Sequence, residues 1–247
     1  MELYSPELLT NETESFTFQA MLEGVGDFAA DYSIVDGLAI MEGDIILGKA
    51  DLLYPENELG IKSFSLIGKR WPKGIVYYDI DPRLPNKQRV TTATQYWERY
   101  TPVTFKERKK EKNYVYFVPG KGCSSYLGMI GGRQEITLAN ACSSGSTVHE
   151  IGHALGLLHE HSRPDRDKYV TINWANIRPD KKHNFKKSGG KKNTPYDYGS
   201  IMHYPRTGGF AIDQAEGFII PKDPKQEIGQ RRRLSALDIK GVKKMYG

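Results

Sequence analysis

Residues 147–167 read T-V-H-E-I-G-H-A-L-G-L-L-H-E-H-S-R-P-D-R-D, and this stretch restricts the chain more than any other. His149 and His153 are spaced one helical turn apart, which stacks two imidazoles on one face of an α-helix. Two rings so placed can share one zinc ion at the ~2.0–2.1 Å that Zn–N bonds require. Glu150 lies beside the first of them and needs no metal bond to serve the same site. Gly156 can take positive φ and end the helix, so that His159 returns toward the metal instead of continuing around the axis. Three neutral nitrogens leave a fourth position for water, the pattern of a catalytic rather than a structural zinc site.

Charge divides the chain. Residues 1–62 hold 13 Asp+Glu and 2 Lys+Arg, whereas residues 63–247 hold 33 Lys+Arg and 17 Asp+Glu. An acidic leader of −11 ahead of a basic body of +16 describes two units that attract one another. The body's lysines are scattered or sit in loop-like runs without a nucleic-acid motif, so no nucleic-acid partner is expected. No apolar run reaches the ~20 residues that span a bilayer, and none is expected to enter a membrane. The first thirty residues show no basic n-region and apolar h-region, so no signal peptide is visible.

Residues 16–22 read as a short helix carrying Phe16, Phe18 and Met21. Residues 31–50 read as extended and apolar, broken at Gly43-Asp44, and residues 55–70 read as a linker with basic sites at Lys62 and Lys69-Arg70. Past Trp71-Pro72 come strands at 74–80, 103–106, 114–118, 125–130 and 134–138, with a helix over 86–100. Ser235 and Asp238 open a last helix in capping-box fashion. Cys123 and Cys142 are free thiols in a cytosolic setting or one disulfide in an exported one. His161 and His203 read as core or hydrogen-bonded groups, and His183, in a Lys-rich segment, as exposed.

Beyond the three histidines, H-E-I-G-H-A-L-G-L-L-H-E-H-S-R-P-D-R-D-K-Y-V resembles the astacins, a metzincin family of zinc endopeptidases. S-I-M-H-Y at 200–204 is similar to the family's Met-turn, and W-P-x-G-I-V-Y-Y and L-S-x-x-D-I also match. M-E-G-D at 41–44 is similar to the F-x-G-D of astacin propeptides, with Met in place of Phe. The resemblance implies an α+β, two-lobed, zincin-like catalytic domain. Its N-lobe has a twisted mixed sheet and the zinc helix, and its C-lobe is irregular with a final helix. A mostly extended inhibitory propeptide would occupy 1–62, with its boundary between 60 and 70, and the catalytic domain 63–247.

It further implies one Zn2+ held by His149, His153 and His159, with Glu150 as general base. Tyr204 would be a fifth ligand at rest and an oxyanion stabiliser in the transition state, and Met202 an apolar floor. Asp44 would bind the zinc in the latent form, and Glu160 would ion-pair the new N-terminus after maturation. The cysteines match one family disulfide, while a second has no partners here. The partners implied are protein or peptide substrates, the chain's own propeptide and an activating protease, in a secreted setting. Substrate would add to the edge strand at 124–127, with Arg206 a candidate for attracting acidic side chains. No adhesive module is expected after the final helix. A zinc-stabilised binding module and a hydrolase of non-peptide substrates are the competing classes; intact Glu150 weighs against the first and the Met-turn against the second.

Overall fold

The computed structural model describes residues 15–53, 65–189 and 194–247. The leader forms strands β1 (Phe16–Leu22), β2 (Gly26–Val35), β3 (Leu38–Met41) and β4 (Ile45–Lys49), then a single helical turn, α1 (Ala50–Leu53). β1 corrects the helix expected there. Phe16, Phe18, Ala20 and Leu22 alternate with residues on the other face, the period of a strand, and Ala20 and Leu22 are the buried ones. Gly24 and Gly26, both at positive φ, turn β1 into its antiparallel partner β2. The linker expected over 55–70 is corrected at its end. Residues 54–64 lie outside the described residues, but β5 (Ser65–Gly68) is a strand parallel to β1.

The body adds β6 (Ile75–Ile80), α2 (Gln88–Tyr100), β7 (Thr104–Glu107), β8 (Tyr114–Val118), β9 (Cys123–Tyr126) and β10 (Arg133–Leu138). The zinc-motif helix α3 (Ser144–Ala154), the strand pair β11 (Val170–Ile172) and β12 (Ile219–Pro221), and α4 (Ala236–Tyr246) follow. Ten strands make one sheet in the order β5-β1-β2-β3-β4-β9-β10-β8-β6-β7. The leader therefore extends the body's sheet: β4 runs parallel to β9, with Ile45 opposite Ser125 and Ile46 opposite Tyr126. The edge expected to receive substrate is covered by the leader.

Three apolar clusters match this layout. Trp71, Val90, Trp97, Phe117, Ile136 and Ile151 lie in the cluster between the body's sheet and α2 and α3. Ala20, Phe28, Tyr32, Met41 and Ile45 give the leader its own core, closed by Leu127 of the body. Phe185, Tyr204, Phe210 and Phe218 belong to a third, in the C-terminal lobe. Cys123 and Cys142 form a disulfide that ties β9 to the approach of α3. Arg89, buried on α2, donates to the carbonyls of Ala139 and Cys142 at 2.7 and 2.6 Å and fixes the same approach. No helix among the described residues is long and apolar enough to cross a membrane.

Candidate active site

Helix α3 starts at Ser143, whose side chain accepts from the Ser146 amide at 3.1 Å. It is buried from Ser146 to Ala154, and His149, Glu150 and His153 are all within that buried part. Gly156 adopts φ 98° at its end, as a residue without Cβ does most easily. The chain then doubles back, and the Glu160 amide donates to the Met202 carbonyl at 3.0 Å. This bond fastens His159 to the Met-turn. Gly152 matters in the same way: a Cβ there would meet Met202 Sδ at 2.7 Å, so only glycine lets the thioether lie against the helix. Asp238 holds the turn from below. Its carboxylate accepts from Ser200 Oγ at 2.6 Å and the Ile201 amide at 2.9 Å while capping α4.

The three histidines meet at one point. Nε2 of His149 lies 3.1 Å from Nε2 of His153 and 3.2 Å from Nε2 of His159. Asp44 completes the group: its Oδ2 is 3.2 Å from His149 Nε2 and 3.3 Å from His159 Nε2, and its Oδ1 is 3.6 Å from His153 Nε2. A tetrahedral ion with ~2.0–2.1 Å bonds separates its ligands by about 3.3 Å, so these four atoms are spaced for zinc. The opposite ring nitrogens are already engaged. Nδ1 of His149 donates to the Ile201 carbonyl at 2.8 Å, and Nδ1 of His153 to the Leu157 carbonyl at 2.7 Å. Such bonds fix the tautomer and turn the Nε2 lone pair toward a metal. Asp44 Oδ1 is buried with no hydrogen-bond partner among the described residues, as an atom awaiting a cation would be. The residues fit zinc.

Burial pushes His149 and His153 below the ordinary histidine range, which keeps both neutral and ligand-ready. Burial also opposes charge on His159, but the carboxylates of Asp44 and Glu42 raise it to about 9, so proton and metal compete for its Nε2. Burial raises the Asp44 carboxyl; the charge on His159 and the polar contacts with the three imidazoles overcome this and hold it well below the usual range.

Glu42 is the residue the sequence reading missed. It sits in the M-E-G-D motif, where the family resemblance points only to Asp44. Its Oε2 accepts from His159 Nδ1 at 2.7 Å, and both side chains are buried. An acid immediately before a Gly-Asp turn was the available signal. The Tyr204 hydroxyl donates to the Glu42 backbone carbonyl, while its ring stacks on His161 at 3.8 Å. Glu160 pairs with Arg163 at 3.1 Å and accepts from the Asp197 amide. His161 and His203 are buried. His183 is also buried, correcting the exposed position expected of it: the 3-10 turn Pro179–Phe185 folds it inward despite its lysine neighbours.

Residues 64–247 match the peptidase family described as Astacin. The chain is 38% identical over 218 residues to a low choriolytic enzyme of Oryzias latipes, covering 84% of this chain and 78% of that protein. It is 36% identical to the zinc metalloproteinase nas-14 of Caenorhabditis elegans over 95% of this chain, and spans 48% of that longer protein. Among solved structures it resembles high choriolytic enzyme 1, a hatching enzyme zinc-protease from Oryzias latipes. That match has a TM-score of 0.68 and 37% identity, over 72% of this chain and 93% of the other. The chain belongs to the astacin family and is a zinc-dependent endopeptidase of α+β fold.

Proposed function

We propose that the chain is a secreted, latent endopeptidase in which residues 1–62 inhibit a catalytic domain of residues 63–247. The observation that carries this reading is Asp44, a leader carboxylate within 3.2–3.6 Å of three histidine nitrogens. A carboxylate there takes the fourth zinc position that a catalytic water needs. The backbone adds to the block, since the Asp44 carbonyl accepts from the Ser125 amide at 2.9 Å and β4 covers the edge of β9. An activating protease would cut between leader and body. The disulfide supports an oxidising, extracellular setting.

Zinc held by His149, His153 and His159 would lower the pKa of a water and polarise the scissile carbonyl. Glu150, buried on the same helix, would serve as the general base for that water and as the proton donor to the leaving amine. Once the leader leaves, the Tyr204 hydroxyl loses its acceptor at Glu42 and is free to donate to the developing oxyanion. Met202 supports the histidines as an apolar floor. Substrate would extend along 124–127, and Arg206, two residues past Tyr204, is the candidate for attracting an acidic side chain; it lines a cavity of about 440 Å³ together with Glu227.

The test is zinc content and casein cleavage before and after limited trypsin treatment, with Glu150→Ala and Asp44→Ala alongside. Trimming is expected to release activity, Glu150→Ala to abolish it with zinc retained, and Asp44→Ala to raise activity in the untrimmed chain. Bound zinc with no cleavage by any form would make the site a scaffold for binding.

A further inference from the structure

A basic groove on the C-terminal lobe has no part in the chemistry above. It is a cavity of about 570 Å³ beside β11. Among the described residues its walls carry four cations, Arg166, Lys186, Lys187 and Lys222, against one acid, Asp167. Asp167 answers Lys187, whose Nζ is 2.5 Å away, and lies 3.5 Å from the Arg166 Nε. Lys186 is answered from outside the body: its Nζ donates to Asp31 Oδ1, on leader strand β2, at 2.8 Å. A carboxylate on an extended strand is thus already docked at this groove.

Two other features indicate what else it can hold. Arg166 is 3% exposed, and its Nε makes no hydrogen bond among the described residues. Its charge, answered among the described residues only by Asp167 at 3.5 Å, raises the local positive potential. Its Nη1 donates to the His161 carbonyl at 2.9 Å, two residues beyond His159, which ties the groove to the histidine site. Trp174 also lines the groove and is 41% exposed, an apolar plate that a peptide side chain would cover.

We propose that this groove binds an acidic segment of the protein substrate, away from the scissile bond, and that leader Asp31 holds part of it until the leader departs. The role in substrate capture rests on the peptidase reading; the capacity to bind an acidic peptide does not. A peptide fits better than a sulfated glycan. The carboxylate in place is carried by an extended strand, the indole offers apolar area, and Asp167 interrupts the run of cations that a polysulfate would follow.

The experiment uses trimmed chain carrying Glu150→Ala, which would bind without cutting, and titrates it with a fluorescein-labelled hexaglutamate peptide. Polarisation is expected to saturate, to fall with added salt, and to need about tenfold more protein when Lys186→Gln and Lys222→Gln are combined. Untrimmed chain is expected to bind more weakly than trimmed, and Asp31→Asn to restore part of the difference. With Glu150 intact, a peptide substrate bearing a hexaglutamate tail is expected to show a KM about tenfold lower than its tailless twin. The lysine variant should erase that advantage and leave the tailless rate unchanged. Equal binding by the wild type and the lysine variant overturns the proposal, as does binding of a heparin oligosaccharide without binding of hexaglutamate. Intact hexaglutamate binding with neither substrate cut overturns the peptidase reading and leaves the acidic-segment site standing.

Discussion

Replacing Glu42 in the full chain is expected to loosen the leader without touching any residue of the catalytic domain. The Glu42–His159 hydrogen bond is 2.7 Å long, and the side chains are 4% and 0% exposed. A hydrogen bond to a charged group contributes about 1.5–3 kcal/mol, against about 1 kcal/mol for a neutral pair. Glutamine keeps an oxygen that accepts from His159 Nδ1 and loses only the charge, about 1 kcal/mol. That raises the fraction of chains with the leader disengaged by about fivefold. Alanine removes the acceptor and leaves a buried N–H without one, at a cost of about 3 kcal/mol, or about a hundredfold.

The assay is hydrolysis of a fluorogenic peptide by untrimmed chain, expressed as a fraction of the rate after trimming, with zinc measured on the same samples. Trimming discards residue 42, so all variants must converge on one rate; this controls for folding and metal loading. Suppose Glu42→Ala stays as silent as the wild type while Asp44→Ala is released. Then the second carboxylate adds nothing to the latch, and the reasoning from its geometry is wrong.

Gly152→Ala places a Cβ 2.7 Å from Met202 Sδ and is expected to destabilise the catalytic domain by about 1–3 kcal/mol. Thermal unfolding and the rate of zinc loss to a chelator report it, and an unchanged Met-turn would leave both at wild-type values. His183 is held down to about 4, first by burial and then by the Lys181 charge. Its folded pKa lies below its unfolded value of about 6.5, so the unfolded chain binds the extra proton. Its contribution to stability is intact above pH 6.5 and is lost as pH falls toward 4, by up to about 1.4 kcal/mol per pH unit. Denaturant midpoints across that window should fall less steeply for His183→Gln.

What was legible in the sequence was what depends on local spacing. The i, i+4 histidines, the Gly156 stop and the Ser235–Asp238 cap are each decided within a turn or two of chain, and α3 and α4 follow them. What was not legible depends on partners far along the chain. Asp238 reads as a capping residue, but its hold on Ser200 requires α4 to pack under the Met-turn. Arg89 looks like an exposed helix residue until the Ala139 and Cys142 carbonyls close over it. Phe16, Phe18 and Met21 satisfy a loose helical pattern, yet β1 is a strand. The sheet partners β2 and β5 decide this, since a strand between two others pairs its backbone groups on both edges.

The leader's geometry also predicts that no single substitution at Asp44 can reproduce maturation. Asp44 is fixed at both ends, its carboxylate among the histidines and its backbone carbonyl on Ser125. Only the first contact is lost in Asp44→Ala. The β4–β9 ladder remains, as does the apolar cluster of Phe28, Tyr32 and Met41 that anchors β4 in the extended sheet. Water would regain the metal position in that variant, while an extended substrate would still find the edge of β9 covered. Small, poorly gripped peptides should therefore gain more from Asp44→Ala than long ones, and casein cleavage should rise only partway to the trimmed rate until the leader is cut away. Equal recovery on both substrates, to the trimmed rate, would mean that the strand blocks nothing and the carboxylate alone confers latency.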